Sequence, residues 1–94
     1  MLRLESLEID DHILEKIESK HDISFTEVEE ACLSDRRYIR RHREGLYKVF
    51  GQTDAGRYVL AVLVNFGGGN WKVVTARQMT DSERQSYLRA IGGR

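Results

Sequence analysis

The chain of 94 residues has no proline, one cysteine and no net charge. With no proline, no fixed-φ residue kinks or punctuates it, and glycine has to mark most of its turns. The lone Cys32 excludes an internal disulfide and cannot by itself build a zinc site, which fits a reducing compartment. It reads most simply as a small residue on the buried side of a helix. No run approaches the ~20 apolar residues that span a bilayer, and Met1-Leu2-Arg3-Leu4-Glu5 lacks the continuous apolar segment of a signal peptide. Low-complexity tracts and internal repeats are missing too. The expectation is one soluble, cytoplasmic domain over residues 1–94, with one modest core and no membrane partner.

Zero net charge argues at first against a nucleic-acid partner, but the charges are unevenly distributed. Residues 1–30 hold ten Asp/Glu against three Lys/Arg, and residues 31–94 hold five against twelve, so the two halves stand at −7 and +7. Such asymmetry points to a polyanionic partner on the basic side, unless the halves neutralise one another in the fold.

Leu2, Leu4, Leu7 and Ile9 suggest a short strand or lead-in. From Asp10 the spacing becomes helical: Ile13, Leu14 and Ile17 share a face, predicting a helix over Asp11 to Lys20 with Asp10 or Asp11 accepting its first N–H bonds. Lys20 and His21 fall at its end, where positive charge is favoured. Ser24-Phe25-Thr26-Glu27 is a capping box, and Ile23 can staple onto Val28. That second helix buries Val28, Ala31 and Cys32, with Leu33, and ends near Ser34. Asp35 to Lys48 is basic, with a turn expected at Glu44-Gly45. It reads either as a charged edge strand or as an RNA-facing surface carried by Arg37, Arg40, Arg41 and Arg43.

The apolar centre lies between Gly51 and Tyr87. Strands are predicted over Leu46 to Thr53, Arg57 to Phe66 and Trp71 to Arg77, joined at Thr53-Asp54-Ala55-Gly56 and at Gly67-Gly68-Gly69-Asn70. Symmetric pairing about the second loop would place Tyr58, Leu60, Val62, Val64 and Phe66 on one face with Trp71, Val73, Thr75 and Arg77. Both faces of the central strand are apolar, so both need cover; helices, a homodimer or a heterocomplex could supply it. Thr80-Asp81-Ser82-Glu83 is a second capping box, opening a helix with Tyr87, Leu88 and Ile91 on its apolar side. The predicted fold class is α+β: two N-terminal helices, an antiparallel sheet of three to four strands and a C-terminal helix.

Lys20-His21 before a capped helix, then Tyr47-x-x-x-Gly51-x-Thr53-x-x-Gly56-Arg57, Val74-Thr75-Ala76-Arg77 and Met79-Thr80-x-x-Glu83-Arg84-x-x-Tyr87, resemble in order and spacing the BrnT-type toxins. These are small bacterial ribonucleases with a RelE-like fold, found in toxin–antitoxin pairs. The chain departs from them in having Leu7-Glu8-Ile9-Asp10 before the first helix, Asp22 where a glycine is usual, and Gln85-Ser86 in place of arginine. The resemblance implies an endoribonuclease working on RNA without metal or cofactor, and an antitoxin partner. The alternative is a non-catalytic RelE-like module that binds nucleic acid or protein.

Metal-independent RNA cleavage needs a base for the ribose 2′-hydroxyl, cations for the phosphorane and an acid for the leaving oxygen. His21 is a natural proton carrier, or else a cap on helix carbonyls. Arg57 and Arg77, with Lys20, suit a phosphate clamp, and these three would meet His21 at one sheet edge. Glu83 is an alternative base or simply a cap, and Tyr87 either stacks on a base or lies in the core. His12 and His42 have no spaced ligand partners, so no metal site is expected.

Overall fold

The computed structural model describes residues 3–92, and both capping boxes act in it as helix starts. Ser24 Oγ accepts from Glu27 N at 3.1 Å while Glu27 Oε1 accepts from Ser24 N at 3.0 Å. Thr80 and Glu83 make the same reciprocal pair at 3.1 and 2.8 Å. The elements run β1 (Ser6–Glu8), α1 (Asp11–His21), α2 (Phe25–Cys32), β2 (Tyr38–Arg43), β3 (Leu46–Gln52), β4 (Tyr58–Gly67), β5 (Asn70–Gln78) and α3 (Asp81–Gly92). Asp10 caps α1 through its backbone only, because its carboxylate is drawn off to Lys72 Nζ at 2.8 Å.

The sheet has five strands in the order β1-β5-β4-β3-β2, rather than three to four, and it is mixed. β2 to β5 form an antiparallel meander; β1 lies parallel to β5 at the far edge, pairing Leu7 with Trp71. The lead-in is thus a strand, and its backbone is tied down further by Trp71 Nε1, which donates to Arg3 O.

Alternation along the strands sorts side chains onto two faces. One face carries Val49, Val59, Ala61, Leu63, Trp71, Val73 and Ala76, and packs with Ile17 of α1, Ile23, and Val28, Ala31 and Cys32 of α2 into the main core. Burial pushes the Cys32 thiol up to about 12, so it stays protonated and inert. The other face is covered only at one end, where Tyr87 of α3 packs on Phe50 and Leu60 with Tyr38, Tyr58, Met79 and Ile91 around them.

The symmetric register holds for only half of the β4–β5 hairpin. Leu60 faces Arg77 and Val62 faces Thr75, but Leu63 faces Val73. Val74 is the extra residue of a bulge, which flips Trp71 and Val73 to the α1–α2 side, where a 0% exposed indole belongs. A second shift between Asn65 and Gly67 tightens the turn to Gly68-Gly69, both at positive φ, as a two-residue hairpin loop requires. Leu33, expected in the buried stripe of the second helix, instead caps it at 38% exposure.

Candidate nucleic-acid interface

Directly paired residues share a face, so the sheet register defines cross-strand rows on the side that α3 half-covers. The first row is Tyr38, Phe50, Leu60 and Arg77, and α3 packs over it. The second is Arg40, Lys48, Val62 and Thr75. The third begins at Arg43 and runs through Leu46 and Val64 to Lys72 and Glu8. A bulge at His42 is what returns Arg43 to the side of Arg40, leaving Arg41 on the opposite side, over the Tyr47 ring at 5.8 Å from its centroid. None of the second- and third-row residues belongs to the α3 core cluster; they form an apolar floor with cations along it.

Arg77 stands where α3 meets this floor. Its Nη1 and Nη2 donate to Glu83 Oε1 and Oε2 at 2.7 and 2.8 Å, and Nη1 also donates to Gln78 O at 3.1 Å. This fork is the geometry in which a guanidinium grips any two-oxygen anion. The Arg77 bonds, seconded by the Thr80 N–H, hold the Glu83 carboxyl down at about 2, and Glu83 in turn raises Arg77. A carboxylate so acidic is a poor proton acceptor near neutral pH, so Glu83 is a cap and an arginine anchor in this arrangement.

Arg57 lies on the other side of the sheet. Its Nη1 donates to Glu27 Oε2 of α2 and to Asp22 O, both at 2.8 Å, and its backbone N–H reaches Thr53 Oγ1 at 2.9 Å. The Ser24 N–H, with Arg57 behind it, lowers Glu27. Asp22 ends α1 at φ 54°, the one positive-φ residue other than glycine among those described, a conformation that glycine adopts without strain. Lys20 is exposed and His21 half-buried in the last turn of α1. The sequence suggested that Arg57, Arg77, Lys20 and His21 meet at one sheet edge; Arg57 does reach the end of α1, through Asp22 O, but Arg77 does not join Lys20 and His21 there. Arg57 shares the α1–α2 side with them, and the sheet separates it from Arg77.

Tyr87 has no ring face to offer a base, being 1% exposed with its hydroxyl donating to Arg36 O at 3.0 Å. Arg37 is turned inward to Ser34 O, whereas Arg40, Arg41 and Arg43 are exposed. The residue that sequence reasoning passed over is Lys48. Its signal was a lone lysine at the middle of the otherwise apolar strand Leu46-Tyr47-Lys48-Val49-Phe50. Among the described residues no group of three or more His, Cys, Asp or Glu is placed to hold a metal, and no helix is long and apolar enough to cross a membrane.

Two helices on one side of a meander, a third on part of the other and a short parallel edge strand make a BrnT-type toxin fold. The crystal structure of the Brucella abortus ribonuclease toxin BrnT matches this chain with a TM-score of 0.68, over 80% of this chain and 96% of that one. Identity between them is 14%, so the likeness is one of fold. No family model and no curated protein matches the sequence.

Proposed function

We propose that the chain is an endoribonuclease toxin of a bacterial toxin–antitoxin pair, acting in the cytoplasm as a single domain on RNA, with no metal or cofactor of its own. The observation that carries this reading is Arg77, held with a two-pronged guanidinium at the rim of an open, cation-bearing sheet face in a fold like that of a ribonuclease toxin. A phosphorane gathers charge on its equatorial oxygens, and fixed guanidinium N–H groups stabilise that charge more than the ground-state phosphate. RNA would lie across the α3-side face, and an antitoxin would silence it by covering the same face. The test is cleavage of a defined single-stranded RNA by the purified chain. Arg77→Ala should slow it on the order of 100-fold; equal rates would remove Arg77 from the chemistry.

One observation favours a second reading, a non-catalytic module that binds nucleic acid. The only histidine advanced as proton carrier, His21, lies on α1, which packs on the opposite side of the sheet from Arg77, and Glu83 is too acidic to replace it. Salt-sensitive RNA binding that leaves the RNA intact would establish that reading instead.

A further inference from the structure

Lys48 and Arg40 are neighbouring cations on the open side of the sheet, and Lys48 stands in an otherwise apolar inner strand. Lys48 sits in an inner strand, half-buried, between Arg40 of β2 and Val62 of β4, with Thr75 one strand further along the same row. Three other cations near this face have an anion to answer them: Arg77 has Glu83, Arg84 has Asp81 and Lys72 has Asp10, whereas Arg43, at the exposed end of the third row, has none within ion-pair distance among the described residues. Among the described residues, neither Lys48 nor Arg40 makes an ion pair or side-chain hydrogen bond. A partly exposed lysine can lay its aliphatic stem along Val62 and keep its ammonium at the surface, where no partner in the fold engages it.

We infer that Arg40 and Lys48, side by side on β2 and β3, form a phosphate subsite for a single RNA strand, one row along the sheet from Arg77. The argument is spacing and charge. The second row lies two residues along each strand from the Arg77 row, about 7 Å, which is within reach of the next phosphodiester of an extended backbone. Arg40 and Lys48, on neighbouring strands, supply two cations to one phosphate, and Thr75, two strands beyond Lys48 and about 10 Å from it, puts a hydroxyl donor further along the same row. Val62 in the same row, and Leu46 and Val64 in the next, give an apolar floor against which a base or ribose can lie. With α3 covering the first row, the uncovered second and third rows offer a strip for one strand.

This subsite rests on the RNA reading above, so binding and cleavage have to be measured apart. An RNA oligonucleotide with 2′-O-methyl riboses cannot be cut by attack of the 2′-oxygen and reports binding alone. Lys48→Met and Arg40→Gln should each weaken its binding about fivefold at moderate salt and lower the slope of log K against log salt by about 0.7. Lys48→Arg should keep wild-type affinity, and Lys16→Gln, which removes one positive charge from the exposed side of α1, should change neither quantity. Circular dichroism and urea midpoints would certify that the variants fold. If wild type binds and cleaves RNA while Lys48→Met and Arg40→Gln keep its affinity and slope, the subsite is overturned and the function stands. If wild type binds no RNA, both fall.

Discussion

Glu83 serves one helix start and one arginine at the same time, and the two duties can be separated by substitution. Glutamine keeps an oxygen for the Thr80 N–H but loses the charge that pairs with Arg77, whereas alanine loses both. Glu83→Ala should cost about 1–2 kcal/mol, and Glu83→Gln should cost less. Because the folded Glu83 sits at about 2, below its ordinary 4.5, its contribution is complete above about pH 4.5 and is lost as pH falls toward 2. The gap in urea midpoint between wild type and Glu83→Gln should therefore narrow between pH 5 and pH 2. A gap independent of pH would mean that the ion pair contributes no stability. Glu27 is shifted the same way but is present in both proteins, so it cancels. Asp22 offers a second single-residue test. At φ 54° a Cβ is strained, so Asp22→Gly should exceed Asp22→Ala in stability by about 1 kcal/mol.

At the scale of elements, α2 lies so close to β3 that no side chain fits between them at Gly51. A Cβ there would come 2.0 Å from Ala31 O and 2.6 Å from its carbonyl carbon, both backbone atoms that cannot swing away. Gly51→Ala should cost at least about 2–3 kcal/mol, read from thermal or urea unfolding; a neutral result would show that α2 slides freely on the sheet. Such close approach was visible in the sequence only as a glycine inside a strand. What the sequence displayed well was local: both capping boxes, the Ile23–Val28 staple, the Glu44-Gly45 turn and the apolar strand through Leu60 and Leu63. What it hid was set by pairing between distant segments. Three residues, Ser6–Glu8, gave too little pattern to announce a parallel edge strand, and single inserted residues at His42 and Val74 changed which face their neighbours occupy. The candidate site suffered most from this, because the faces of Arg57 and Arg77 depend on register and on which helix offers a carboxylate. The same parity yields a prediction for β2. Arg40→Gln should weaken RNA binding more than Arg41→Gln, although the two are adjacent in sequence and both exposed.

For the whole molecule, the opposed charges of the two halves are only slightly neutralised by folding. Of five ion pairs among the described residues, only Arg57 with Glu27 and Lys72 with Asp10 join the acidic first thirty residues to the basic remainder. The rest of the imbalance faces outward, so a molecule of zero net charge can present a cationic sheet face to a polyanion. Overall neutrality is thus no obstacle to RNA binding, and since the likeness at 14% identity is one of fold, binding and cleavage of RNA are both questions for experiment. Induced expression in a bacterial host tests this in the intact system. The ribonuclease reading expects growth arrest with loss of messenger RNA, and normal growth with Arg77→Ala at equal soluble level. Since Arg77 is 40% exposed and Glu83 keeps its Thr80 bonds without it, Arg77→Ala should accumulate as folded protein, so restored growth would report lost chemistry rather than lost fold. Unimpaired growth with abundant wild-type protein would instead count against the ribonuclease reading, and salt-sensitive binding of intact RNA by the same protein would then mark the chain as a binding module.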